Sequence, residues 1–171
     1  SPENRFVLQA VEELRQCGKL LDGSLRGIAL CQAQLDSANL KDTDLCYVDL
    51  HQANMDYADL TNAKLRAAKL NRASLQSANL AGTDFTSADL YKVNFRGAQN
   101  LEDGQLAAAN ELFGAIMPDG SIYDGRYNLP GDLARARWAK VRIEDPKSMA
   151  DFYGVSLDVY LQGQKKLDVV V

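Results

Sequence analysis

The chain has 171 residues, of which 46% are hydrophobic and 25% charged, with a net charge of −4. This composition excludes a disordered chain and gives no support to a strongly basic nucleic-acid binder or a polyacidic tail. No apolar run reaches the roughly 18 residues of a membrane span, so one domain with a substantial core is expected.

The first segment, SPENRFVLQAVEELRQCGKL, reads as a helix over 2–17 within an N-terminal capping unit 1–19. Ser1 and Pro2 suit the N-cap and first turn, and Gly18 suits the stop. Phe6, Ala10 and Leu14, with Val7 and Val11, form an apolar stripe at helical spacing. All of Phe6, Val7, Val11 and Leu14 are expected to cover whatever follows. No basic region precedes an apolar one, so the segment does not read as a signal peptide, and a cytoplasmic location is expected. A targeting segment cleaved ahead of residue 1 stays open. Cys17, Cys31 and Cys46 make an odd number, which fits a reducing compartment better than a disulfide framework.

From Leu25 to Phe95, fifteen positions five residues apart carry twelve Leu, with Met55, Phe85 and Phe95. Two residues before each stands Ala in nine cases, and only Ile28 among the others is large. A step of five smears leucines around an α-helix and alternates them across a flat strand. The chain must therefore turn once per repeat, keeping Leu and the preceding Ala both inward. Four turns close a square coil of about 20 residues, stacked at about 4.8 Å, with backbone bonds running between coils as in a β-solenoid. All fifteen central residues are expected in the core.

That coil length predicts columns. Asp44, Lys64 and Asp84 fall in one, and Asp49, Lys69 and Asp89 in the next, so each lysine lies between two aspartates. Gln34, Asn54, Ser74 and Asn94, and Asn39, Asp59 and Asn79, form two polar columns expected to hydrogen-bond along the stack.

The stretch SANLKDTDLCYVDLHQANMDYADLTNAKL resembles the A(D/N)Lxx signature of the pentapeptide-repeat family, with tandem matches over 23–97. The resemblance implies an all-β solenoid, a right-handed quadrilateral β-helix, here assigned to 20–128 with a short helical insertion near 101–110 in NLEDGQLAAANELFGAIMPDG. Residues 129–171 read as a C-terminal helical tail that caps the other end. GDLARARWAK is one short helix. DPKSMADFYG carries Asp145 as cap, Pro146 in the first turn and Gly154 as stop, and SLDVYLQGQ begins on Ser156. Met149, Phe152, Leu157, Tyr160 and Leu161 are the expected apolar anchors. The tail also resembles those of cyanobacterial members.

Chemistry is sparse. His51, the single histidine, stacks above Cys31, with Cys46 on an adjacent face. Two stacked ligands fall short of the four zinc wants, and no nucleophile accompanies His51 as a base. No metal, cofactor or catalytic residue is assigned. Tyr47 and Tyr57 sit on outward corners and read as solvated surface. Arg135, Arg137, Lys140 and Arg142 surround Trp138, which reads as a helix surface with a buried Trp rather than a phosphate site. ADFYGVSLDVYLQGQ has a faint helix-turn-helix look but lacks a basic recognition helix. Phosphate-loop and hydrolase signatures are absent.

The expected role is a non-enzymatic protein-interaction scaffold, regulatory in character, with an unidentified protein partner, no nucleic acid and no membrane. A homodimer through the C-terminal helices is the expected self-association. The alternative is a DNA-mimic inhibitor of a DNA-binding enzyme such as gyrase. Residues 25–100 hold eight Asp, no Glu and eight Lys or Arg, so they lack the anionic face a mimic needs.

Overall fold

A computed structural model describes residues 2–167, with side chains described over 5–165. Ser1, expected as the helix cap, lies outside the described residues. Helix α1 runs Pro2–Gln16. The solenoid follows, interrupted by the short helix α2 (Asp103–Ala107). Three helices end the chain: α3 (Pro130–Trp138), α4 (Pro146–Tyr153) and α5 (Leu157–Leu167). Among the described residues no helix is long and apolar enough to cross a membrane.

Each side of the coil is so short that it contributes isolated parallel bridges rather than long strands. Ala29 pairs with Asp49, Asp49 with Lys69 and Lys69 with Asp89, and the other sides repeat the 20-residue step. Bonds run both ways between coils: Asp49 N–H donates to the Ile28 carbonyl at 3.0 Å, and Leu50 N–H to the Lys69 carbonyl at 2.8 Å. At each corner the central residue's carbonyl accepts from the N–H three residues on, as from Ala53 to Leu50 at 3.0 Å. The residue two after the centre takes positive φ, for example +58° at Gln52 and +53° at Ala67. That is the type II turn pattern, adopted here mostly by non-glycine residues. Left-handed backbone costs roughly 1–2 kcal/mol per residue, which the inter-coil bonds and leucine burial must offset.

The structure reassigns the polar columns. Most residues before the centre turn inward on their own corner. Asp49 Oδ1 accepts from His51 N–H at 3.1 Å, Asn54 from Asp56 at 3.1 Å and Asp84 from Thr86 at 2.9 Å. This is an Asx-turn, and it explains the D/N of the repeat. Stacking bonds exist beside it but are longer, as in Asn54 to Gln34 at 3.4 Å. The lysine columns have the expected register, since Lys64 bridges Asp44 and Asp84 in the backbone ladder. Asp44, however, closes its ion pair on Arg26 at 2.6 Å.

Thirteen of the fifteen central residues are buried; Leu25 and Leu30 are only partly so. They belong to the first coil, which has no coil beneath it, and α1 covers it incompletely. Val11 is buried and Val7 packs on the core, but Phe6 is 72% exposed, contrary to its expected place on the coil. The reason is rotational: Val7 and Val11 lie four apart on the inner face, and Phe6 points off it.

The solenoid does not stop at Phe95. α2 replaces one corner and lengthens that coil to a 22-residue step, after which Asp89 pairs with Glu111 and Asn94 with Ile116. Gln105 Nε2 donates to the Leu80 and Thr83 carbonyls, both at 2.8 Å, standing in where a ladder amide is missing. Ile122 then folds back antiparallel on Ile116 and ends the ladder.

Candidate interaction surface

The last coil leaves amides that a further coil would have paired, and α3 supplies the substitute. Gly131 N–H donates to the Asn110 carbonyl at 2.8 Å. Asp132 Oδ1 accepts from Leu112 N–H at 3.0 Å and Phe113 N–H at 2.8 Å, and its other oxygen accepts from the Tyr153 hydroxyl at 3.4 Å. Asp132 is fully buried, and burial pushes its carboxyl up to about 6, although both amides pull the other way. Glu111 pairs with Arg135, whose guanidinium lies 4.2 Å above the Tyr91 ring. Phe113 packs on Phe152 with centroids 4.5 Å apart, and Tyr123 meets Tyr153 edge-on at 5.7 Å. Met149 and Tyr160 are buried in the same junction, whereas Leu161, expected as an anchor, is 38% exposed.

Trp138 is not buried: it is 86% exposed. Helix α3 buries Asp132 and Ala136, four apart on one face, and Trp138 falls on the other side at the helix end. Beside it, Arg135 is committed to Glu111 and Arg142 to Asp145 at 3.0 Å. Arg137 and Lys140 are exposed and have no ion-pair partner among the described residues. Sequence reasoning misjudged which way the Trp faces.

The remaining candidates stay apart. Tyr47 and Tyr57 are exposed, but they follow sides two apart in the coil and stand on opposite corners. Cys31 lies one coil from His51; hydrogen bonding at Asp49 raises its thiol pKa, and burial raises that of Cys46. Both thiols are therefore poor nucleophiles at neutral pH. The column carboxylates are held down: Asp44 to about 2 by its bond from Arg26, Asp49 by the His51 amide and Asp84 by Thr86. Among the described residues no group of three His, Cys, Asp or Glu could hold a metal ion. Lys64 and Lys69 interrupt the acidic columns.

Asp132 escaped sequence reading because its partners lie 19 and 20 residues away across the coil end. The visible signal, an aspartate just inside a Pro-started helix, points to local capping instead.

Comparison with known proteins follows the same residues. The family model for pentapeptide repeats matches in eight copies over residues 24–62, 33–72 and 68–99. No curated protein matches the chain. Among solved structures it is similar to HetL, a pentapeptide repeat protein involved in heterocyst differentiation regulation in the cyanobacterium Nostoc sp. strain PCC 7120, at 39% identity over 58% of this chain and 42% of that one, with a TM-score of 0.46. A pentapeptide repeat protein from the thylakoid lumen of Arabidopsis thaliana shares 24% identity over 61% of this chain and 72% of that one, with a TM-score of 0.51, a likeness of fold. Rfr23 from the cyanobacterium Cyanothece 51142 shares 30% identity over 44% of this chain and 56% of that one, with a TM-score of 0.32. The chain thus spans under half the length of HetL. With repeat period, coil step and family match falling on the same residues, the repeat region 24–99 belongs to the pentapeptide-repeat family and is built as a β-helix.

Proposed function

We propose that the protein is a non-enzymatic, regulatory interaction scaffold that engages an acidic protein surface through Trp138, flanked by Arg137 and Lys140. The observation that carries this is the 86% exposure of Trp138 at the end of a helix whose opposite face is docked. A large aromatic beside uncommitted cations is the residue pattern of binding hot spots. The depressed carboxylates and raised thiols of the solenoid support the non-enzymatic part, since none is poised for proton transfer or attack at neutral pH. The test is paired affinity capture with wild type and Trp138→Ala, followed by calorimetry on each purified candidate. A partner bound about tenfold or more weakly by Trp138→Ala supports the reading. Partners that bind both chains equally refute it.

The same proposal takes α1 and the α3–α5 unit as caps that prevent end-to-end stacking of solenoids. Val159 and Leu161, exposed on α5, support a homodimer through the C-terminal helices, which sedimentation over a concentration series tests. A cytoplasmic location completes it, supported by three free cysteines.

A further inference from the structure

We infer that the cavity between α1 and the first coil is a binding site for a small hydrocarbon group, a single substituted ring or a medium-length alkyl chain, presented by a free small molecule. Its volume is 210 Å³, and every lining side chain is apolar, among them Val7, Val11, Leu14, Leu25, Leu30 and Leu35. A cavity of about 150 Å³ with such a lining stays free of water and takes up benzene or xenon. The space here is larger and offers no hydrogen bond, so any polar part of the ligand stays in solvent.

The rest of the solenoid shows that such a space is not a general property of the coil. From Leu50 to Phe95 every central residue is at most 1% exposed, while Leu25 and Leu30 face the cavity only partly buried. The covering helix is fastened near its C-terminal end. Arg15 donates to the Asn39 carbonyl at 2.6 Å and the Lys41 carbonyl at 3.2 Å, and Asp44 N–H donates to the Leu20 carbonyl at 2.9 Å. At the other end Phe6 stands exposed.

The experiment is a titration of the full chain, methyl-labelled at Leu and Val, with 1-octanol. The expected result is a single saturable shift of the Val11, Leu25 and Leu30 methyls, with Leu70 and Leu75 unmoved. Leu25→Phe should weaken binding about tenfold or more by filling the space. Phe85 occupies the same column three coils on, so that column accepts a phenyl ring, and unmoved Leu70 and Leu75 signals confirm folding. Ala10→Leu, a strong helix former, fills the cavity from the other side and should have the same effect. No saturable shift, or wild-type affinity in both filled variants, overturns the inference. So do cavity methyl shifts that follow protein concentration without octanol, since a second copy would then be the occupant.

Discussion

Asp132 does at one position what a further coil would do with several backbone carbonyls. Its carboxyl is raised from 3.8 to about 6 by burial. Between those values the native state holds a proton that the unfolded chain has released. This group therefore costs stability as pH rises through the window, and the cost persists above it. Relative to Asp132→Asn, the wild-type chain should gain about 2–3 kcal/mol on going from pH 7 to pH 4, measured by urea denaturation. A flat difference between the two chains would mean that Asp132 is solvated. Leu60, fully buried, marks the other extreme of residue dependence. Leu60→Ala should cost about 2–5 kcal/mol, and Lys64→Ala at most about 1 kcal/mol because its charge is exposed. Comparing the two denaturation midpoints tests the whole inward-outward assignment.

At the scale of elements, the junction between the last coil and α4 depends on a missing side chain. Gly125 has φ +80°, and a Cβ there would fall 2.2 Å from the Tyr153 ring. Gly125→Ala combines left-handed strain with a clash against a packed aromatic, at a cost of about 2–5 kcal/mol. It should also displace Tyr153 from Tyr123 and Tyr160, so the near-ultraviolet dichroism of the tyrosines should change while the solenoid stays folded. An unchanged spectrum would place the helices elsewhere. α2 shows the same economy: one side chain, Gln105, lets a helix interrupt the ladder without leaving the Thr83 carbonyl bare.

For the whole molecule the decisive property is that a solenoid has ends. Interior coils are satisfied by their neighbours, while the terminal ones expose ladder groups and leucines that fit another copy. Deleting residues 129–171 removes Asp132, the α3 contact with Asn110 and the aromatic junction together. The truncated chain should aggregate or change oligomeric state in size-exclusion chromatography. A monodisperse, equally stable product would leave α3–α5 as a recruitment segment only.

The repeat by itself determined the coil: its 20-residue step, the inward leucines and the outward corners are all legible in a five-residue period, because each repeat contacts only its counterparts one coil above and below. The α4 cap was equally legible, since Asp145 accepts from Lys147 N–H and Gly154 takes φ +72°, both local events. What the tertiary structure decided lies where the repeat fails. The facing of Trp138, the incomplete cover over Leu25 and Leu30, the exposure of Phe6 and the role of Asp132 all depend on how a helix rotates and seats on a coil end. Helical spacing restricts that rotation to a broad apolar face, and only packing against the particular leucines and open amides beneath selects one angle.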